Sequence, residues 1–537
     1  MKNKNKIFFL VVCLFFFFII KQVFFVEKKK NAIKIFGEII EIETNISFSK
    51  NNKINWLNNF KKVSQTEKQI IYELENNKIK VTRYITKHNN KINIDDHYTN
   101  KTSEIVGVIT NYEFLKFLPS SSKISGREFE NSNKILAENP TILLNDSKTS
   151  LGIYLNDEFS KIHSEIKIDN DNHLNIFNNS LIIKPKEKYT KSFTIYKFDE
   201  IISYYDFINF LRDELNVYSY IDGNLFWLDT YKNRKILNDK FKLRNFLKNY
   251  GIKYLIITPW LDYDNYNYSK KEKWNRIKFK KKLEKIKKVI KEINPEIKLL
   301  LALQSNIVSL DDKIQNIIRE NELNKIKKGF HHYYLDINYL VNLGIAKEEI
   351  VLDKKGRILF ETYYHDWKYD NTKNFQEIAL ALKAYDEGYL FNKLVDQINF
   401  TIDEIQYDGV YIDQFNQHFI SPKHTRSFDK HNVNIGKINK LSGKINQLNE
   451  NISLNTYEFK KKIIDYVLTK TNFVFFNSHH ISDDFRKKKV TRFFEGFWYF
   501  WAAKMWKEDS KDLFEAKTFF SSHLSTPVAL SLSFIQK

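Results

Sequence analysis

Between residues 33 and 197 short apolar runs alternate with polar clusters. Runs at 105–109, 141–144, 151–154, 181–183 and 193–196 are separated by Asn, Asp, Ser and Lys. Runs of that length with that punctuation predict strands, and their succession without helical periodicity predicts an antiparallel β-sandwich over 33–197. The segment 185–188 reads as the turn before its last strand. A helix is predicted over 199–217, where Ile201, Tyr204, Phe207, Phe210 and Leu211 fall at helical spacing. Residues 198–223 are therefore taken as a helical linker.

From residue 224 the rhythm changes to strand, helix, strand. Strands are predicted at 225–229, 254–259, 299–303, 409–413, 473–476, 492–494 and 528–532. Phe279, Leu283, Ile286, Ile290 and Ile293, and likewise Phe391, Leu394, Ile398, Ile402 and Ile405, place one apolar stripe on each intervening helix. Further helices are predicted at 237–250 and 457–469. This alternation predicts an α/β fold, a parallel sheet closed as a (β/α)8 TIM barrel over 224–537. The eighth strand is expected at 331–335 or 515–522. An open, doubly wound sheet is the alternative, and no Gly-rich phosphate loop follows any strand. Two insertions interrupt the barrel. Residues 330–372 carry His331-His332-Tyr333-Tyr334 and a hairpin at 352–358, and are read as a substrate wall. Residues 416–456 are polar and weakly patterned, and are read as a lid or loose insert.

Composition adjusts this picture in three places. The 537 residues and 15% aromatics allow a large core. The formal charge of +21 comes from Lys spread over the polar faces of predicted helices, the signature of solvated faces and not of a nucleic-acid surface. The single cysteine, Cys13, excludes an intrachain disulfide and a Cys-based zinc site. Cys13 lies in the apolar run 7–20, which is preceded by Lys2, Lys4 and Lys6 and followed, after 23–26, by three lysines. Residues 1–30 therefore read as a signal anchor or transmembrane segment, with no small-x-small cleavage site. The body is expected to be extracytoplasmic, secreted or tethered to the membrane by that segment.

Polar and aromatic residues recur where the barrel strands end: Asp229 after Trp227, Trp260, Gln304, Asp413 with Gln414, Asn477 and His479, then Glu495 with Trp498. Strand ends on that face form the active sites of α/β barrels. The mixture suits a sugar, whose hydroxyls take Asp, Asn, Gln and His and whose C–H faces stack on Trp. Hydrolysis of a glycosidic bond needs two carboxyls astride it. Asp413 and Glu495 are the candidate pair. Phe493, Phe494, Phe497 and Trp498 would hold Glu495 protonated. From the first insertion His365 and Trp367 join the expected substrate-binding set of Asp229, Trp260, Gln304, Gln414, Asn477, His479 and Trp498. No metal or cofactor is expected. The histidines leave a metal-dependent polysaccharide deacetylase as one alternative; a carbohydrate-binding or adhesin-like surface protein is the other.

The segment Asp408-Gly409-Val410-Tyr411-Ile412-Asp413-Gln414 resembles the DG-aromatic-aliphatic-D strand of (β/α)8 glycoside hydrolases of the α-galactosidase and endo-α-N-acetylgalactosaminidase type. The resemblance implies an N-terminal β-sandwich before the barrel, a glycan substrate, Asp413 as nucleophile and Glu495 as general acid/base. Two positions depart from it: the acid is Glu where α-galactosidases use Asp, and the residues before Asp413 supply no Lys-x-Asp signature.

Overall fold

The computed structural model describes residues 33–494 except 36–39, 51–52, 58, 115–118, 129–132, 136–138, 169–172, 218–220, 231–232, 259–266, 270–271, 274–275, 323–324, 328, 366–374, 414–425, 428–432, 441, 477–484, 486 and 489–490, and then Leu524 and 528–530. Its N-terminal part is two antiparallel sheets. One is nine-stranded, with Ile79–Lys87, Lys91–Asn100 and Lys188–Phe198 near its middle. The other is built on Ile40–Lys50, Val106–Phe114 and Leu174–Ile183. Strand Ile79–Lys87 alternates buried and half-buried residues, the pattern of a sheet with one face on a core. Ile85, Ile94 and Ile195 of the first sheet meet Tyr112, Phe114 and Ile176 of the second in one apolar cluster.

A charged network is sealed between these sheets. Arg83 grips both carboxylate oxygens of Asp96 at 2.6 Å, and the Tyr112 hydroxyl donates to Asp96 at 2.7 Å. Nearby, the Lys191 ammonium donates to Thr110 Oγ1 at 2.6 Å. Burial pulls Lys191 down to about 8, although Asp157 and Asp96 act the other way.

Helix Tyr204–Glu214, capped by Ser203, follows the sandwich. The first expected helix, 199–217, thus shortens at both ends. Gly152 leaves room for it: a Cβ there would sit 2.2 Å from the Phe207 ring.

The second part holds an all-parallel sheet of seven strands: β1 Asn224–Asp229, β2 Ile252–Thr258, β3 Lys298–Gln304, β4 Gly409–Asp413, β5 Phe473–Phe476, β6 Thr491–Phe494 and β7 Val528–Leu530. Spatial order follows chain order. Cα atoms of β7 come within 8 Å of β1, so the sheet curls until its edges approach. The main connecting helices are α1 Lys240–Asn249, α2 Arg276–Ile293, α3 Tyr389–Asn399 and α4 Tyr457–Leu468. Leu301, Leu303, Val410 and Ile412 on one face of the sheet share a core with Leu283, Ile290, Ile398 and Ile463 of these helices. Leu225, Ile256, Ala302, Tyr411 and Phe475 form a separate cluster on the other face.

Two expectations change, and two others fall on residues outside those described. The segment at 331–335 is not a barrel strand. Gly329–Tyr333 pairs antiparallel with Ile358–His365, which pairs with Phe375–Ala381, and that with Ile307–Ser309, as a separate four-stranded sheet. The other place named for the eighth strand, 515–522, lies outside the described residues. The insertion 416–456, read as a lid or loose insert, forms sheet in its described part. Its strands Ile435–Ile438 and Ile445–Asn451 extend the second sandwich sheet, with Ile435 opposite Leu181. The segment expected to span a membrane, 1–30, is outside the described residues, and no described helix is long and apolar enough to cross one.

The insertion is locked by one buried ion pair. Glu450, wholly buried, takes the Lys383 ammonium at 2.8 Å, the Tyr385 hydroxyl at 2.8 Å and the Asn455 amide at 2.7 Å. Removing one member strands the other charge in the interior, a loss of about 3–5 kcal/mol. Glu450→Ala should lower the thermal midpoint sharply, and the paired change Lys383→Met with Glu450→Leu should recover much of it; calorimetry on the three chains checks this.

The sandwich supplies a pH test. Below about 8 both folded and unfolded chains hold the Lys191 proton, and the burial cost is present in full. Between about 8 and the ordinary value of 10.5 only the unfolded chain still binds it, so this residue makes stability rise with pH. Lys191→Met should flatten that rise in urea melts taken from pH 7 to 10.5, and a slope equal to that of the parent chain would refute it.

Candidate active site

Every described residue of the segment 407–413 has a distinct place. Tyr407 is buried and donates its hydroxyl to the Leu283 carbonyl of α2 at 3.1 Å; burial raises its pKa. Asp408 sits at the foot of the sheet. Its Oδ2 accepts the Leu299 backbone N–H of β3 at 2.9 Å and the Lys291 ammonium at 3.0 Å. The Thr471 hydroxyl before β5 donates to the Asp408 carbonyl at 2.5 Å. Asp408 thus joins the starts of three neighbouring strands. Gly409 lies flat against β5: a Cβ there would stand 2.0 Å from the Phe473 carbonyl oxygen. Val410 and Ile412 face the helices, and Tyr411 faces the opposite way.

Side chains alternate along a strand, so Asp413 follows Tyr411 onto the inner face. The same parity takes Leu225 and Trp227 to Asp229, Ile256 to Thr258 and Ala302 to Gln304. Asp229 pairs in register with Thr258, and Gln304 with Asp413. Four polar side chains therefore end four adjacent strands on one rim, each less than 9% exposed. This is the C-terminal end of the sheet, where α/β folds place ligands.

The Asp413 carboxylate is held from two sides. The Tyr411 hydroxyl donates to Oδ1 at 3.0 Å, and the Gln304 amide donates to Oδ2 at 3.0 Å. Its backbone carbonyl accepts from the Ser305 N–H at 3.3 Å and the Ser305 hydroxyl at 2.9 Å. Donors on both oxygens favour the ionised form. The edge of Trp227 meets the Tyr411 ring, centroids 5.1 Å apart and planes at 79°. This contact crosses from β1 to β4, so Asp229 and Asp413 ride on opposing walls. Behind Asp229, Lys282 of α2 is pulled down to about 8 by burial, against the pull of the Asp229 charge.

Polar atoms are left open beside this rim. Gln304 Oε1, both amide atoms of Asn306 and Thr230 Oγ1 are buried and meet no hydrogen-bond partner. Such atoms cost free energy unless a ligand or water reaches them.

Of the residues singled out from sequence, Asp229, Gln304 and Asp413 stand together on the rim. His365 ends the strand Ile358–His365 of the four-stranded sheet. Trp260, Trp367, Gln414, Asn477, His479, Glu495 and Trp498 lie outside the described residues. Among the described residues no three His, Cys, Asp or Glu side chains come together as a metal site. Tyr411, Thr258 and Ser305 were not foreseen. Tyr411 carried a signal, a hydroxyl two places before the acid in an otherwise apolar strand.

No family model matches the chain, and no curated protein matches it. Solved structures do. The GH36 α-galactosidase AgaA from Geobacillus stearothermophilus is 11% identical, with a TM-score of 0.46, over 91% of this chain and 66% of that enzyme. AgaB, a GH36 α-galactosidase from the same organism, is 10% identical, with a TM-score of 0.45, over 94% of this chain and 67% of that one. A GH31 family sulfoquinovosidase from E. rectale is 12% identical, with a TM-score of 0.41, over 85% and 64%. The chain thus spans about two thirds of the length of these enzymes.

The close approach at Gly409 makes a clean test of the register. Gly409→Ala must push β4 off β5, and backbone cannot swing aside as a side chain end does. A fall in stability of about 2 kcal/mol or more is expected in denaturant melts; an unchanged midpoint would show that the two strands do not lie this close.

Proposed function

We propose that the chain is a glycoside hydrolase that cleaves a glycan with two carboxyl groups, Asp413 as nucleophile or base and Glu495 as general acid. The observation that carries this reading is the Asp413 carboxylate. It stands at the inner C-terminal rim of a curled parallel sheet, with neutral donors on both oxygens. An ionised carboxylate in a polar rim is the group that attacks the sugar carbon or activates water. The apolar residues around Glu495 in the sequence favour its protonated form, which the leaving oxygen requires.

On this reading the curled sheet is a (β/α)8 barrel. Asp229, opposite Asp413, binds sugar hydroxyls, and Gln304 and Asn306 offer their open amide atoms to the same ligand. Trp260, Trp367 and Trp498 stack on sugar faces; His365, Gln414, Asn477 and His479 bind hydroxyls. No metal takes part. The N-terminal apolar segment tethers the enzyme to the membrane, with its body outside the cytoplasm and its substrate in an extracellular or envelope glycan.

The test is a panel of aryl glycosides and polysaccharides, read as phenol or reducing-sugar release. Wild type should turn over at least one member. Asp413→Asn should keep its circular dichroism and lose turnover by roughly a thousandfold. Binding without turnover by the parent chain would point to a carbohydrate-binding protein. Equal rates for parent and variant would remove Asp413 from the chemistry.

A further inference from the structure

Tyr411 and Asp413 occupy successive inward positions of one strand, about 7 Å apart along it. A phenol is long enough to lie along the strand and reach the next inward side chain. Tyr411 does so: its ring is fully buried, and its hydroxyl meets Asp413 Oδ1 at 3.0 Å. Trp227 blocks the ring from the opposite wall. The Asp413 main chain is tied separately by Ser305, so the phenol acts on the carboxylate and not on the backbone beneath it.

We propose that Tyr411 is a positioning residue for Asp413, fixing the orientation of the carboxylate and keeping it ionised at mildly acid pH. The inference rests on Asp413 being the attacking group and adds what aims it. A tyrosine ionises near pH 10, so this donor is present throughout the range in which a carboxylate changes charge. A hydrogen bond to the ionised form lowers the pKa of an acid, and losing it raises that pKa. The described groups that face Asp413 fit this balance. From β3 comes the neutral Gln304 amide. On β4 itself the only inward polar neighbour is Tyr411. From β5 Tyr411 has Phe475 as its register partner. Across the rim, β1 brings Asp229, whose negative charge works against ionisation, and β2 brings Thr258. Ring contact and hydroxyl have separable effects: phenylalanine keeps the packing against Trp227 and deletes only the donor.

The experiment uses the full chain labelled with carboxyl-13C aspartate, with Asp413→Asn to identify the Asp413 resonance. Tyr411→Phe should raise the Asp413 titration midpoint by about one pH unit, the scale of one charge-assisted hydrogen bond. Its thermal midpoint should stay near that of the parent. On an aryl glycoside that the parent cleaves, the acid limb of kcat/KM should move the same way, with kcat falling more than KM changes. Tyr411→Met, which also lacks the hydroxyl, replaces the first variant if that one does not fold. An unchanged or lowered Asp413 midpoint in a folded variant overturns the proposal. A raised midpoint in a chain that cleaves no glycoside upholds the role of the tyrosine and overturns the hydrolase reading; cleavage with no shift does the reverse.

Discussion

The site depends on the register of β4, and that register is set at the foot of the strand, far from the carboxylate. Asp408 ties the first residue of the strand to the N–H of Leu299 and to Lys291. Gly409 lets the backbone of β5 come in close. A strand has period two, so a slip of one residue would turn Asp413 outward into the helix layer and bring Ile412 to the rim. The first Asp and the Gly of the motif therefore set the place of the strand, and their parity with the last Asp puts that carboxylate on the inner rim. Their spacing is fixed because the parity between them must hold.

The two halves of the molecule are bound by sequence that each borrows from the other. Strands at 435–438 and 445–451 arise from an insertion between β4 and β5, yet the first pairs with the sandwich strand at Leu181 and the second pairs with the first. Glu450 at the end of this hairpin then returns to Lys383, next to α3. Arg212 of the linker helix reaches the Leu524 carbonyl at 3.0 Å, a second tie between distant parts. The sandwich sheet is thus tied, through the insertion, to Lys383 before β4, and the linker helix to Leu524 after it.

Much of the parallel sheet was legible because its signals are local. Apolar runs of four to seven residues gave β1 to β5, and the spacing of Phe279, Leu283, Ile286 and Ile290 gave α2 with its buried face. The antiparallel sheet around 329–381 was hidden for a physical reason. His331 and His332 sit on a half-buried strand whose partner lies about thirty residues on, and nothing local distinguishes such a strand from a parallel one. The hairpin at 435–451 was obscured by polarity. Asn449, Glu450 and Asn451 are buried but satisfied by hydrogen bonds, so burial left no apolar pattern to read. At the site, Asp229, Gln304 and Asp413 were found by asking what ends each strand. The bond from Gln304 to Asp413 was not, because it depends on the register between segments 109 residues apart.

Charge distribution fits the same division. The chain carries 86 Lys and Arg against 65 Asp and Glu. Along α2 several of these cations are spent on structure: Arg276 on Asp396 and Glu404, Lys287 on the Ile405 carbonyl, Lys291 on Asp408. At Asp413 the described donors are instead a phenol and an amide. A cation in contact would depress the carboxylate pKa further, and an acid so stabilised is a weaker nucleophile and a weaker base. The two described donors are neutral, so they orient the carboxylate and favour its charged form without the full stabilisation that an ion pair gives. The described contacts thus divide along β4: a cation, Lys291, fixes Asp408 at the foot of the strand, and a phenol and an amide reach Asp413 at its end.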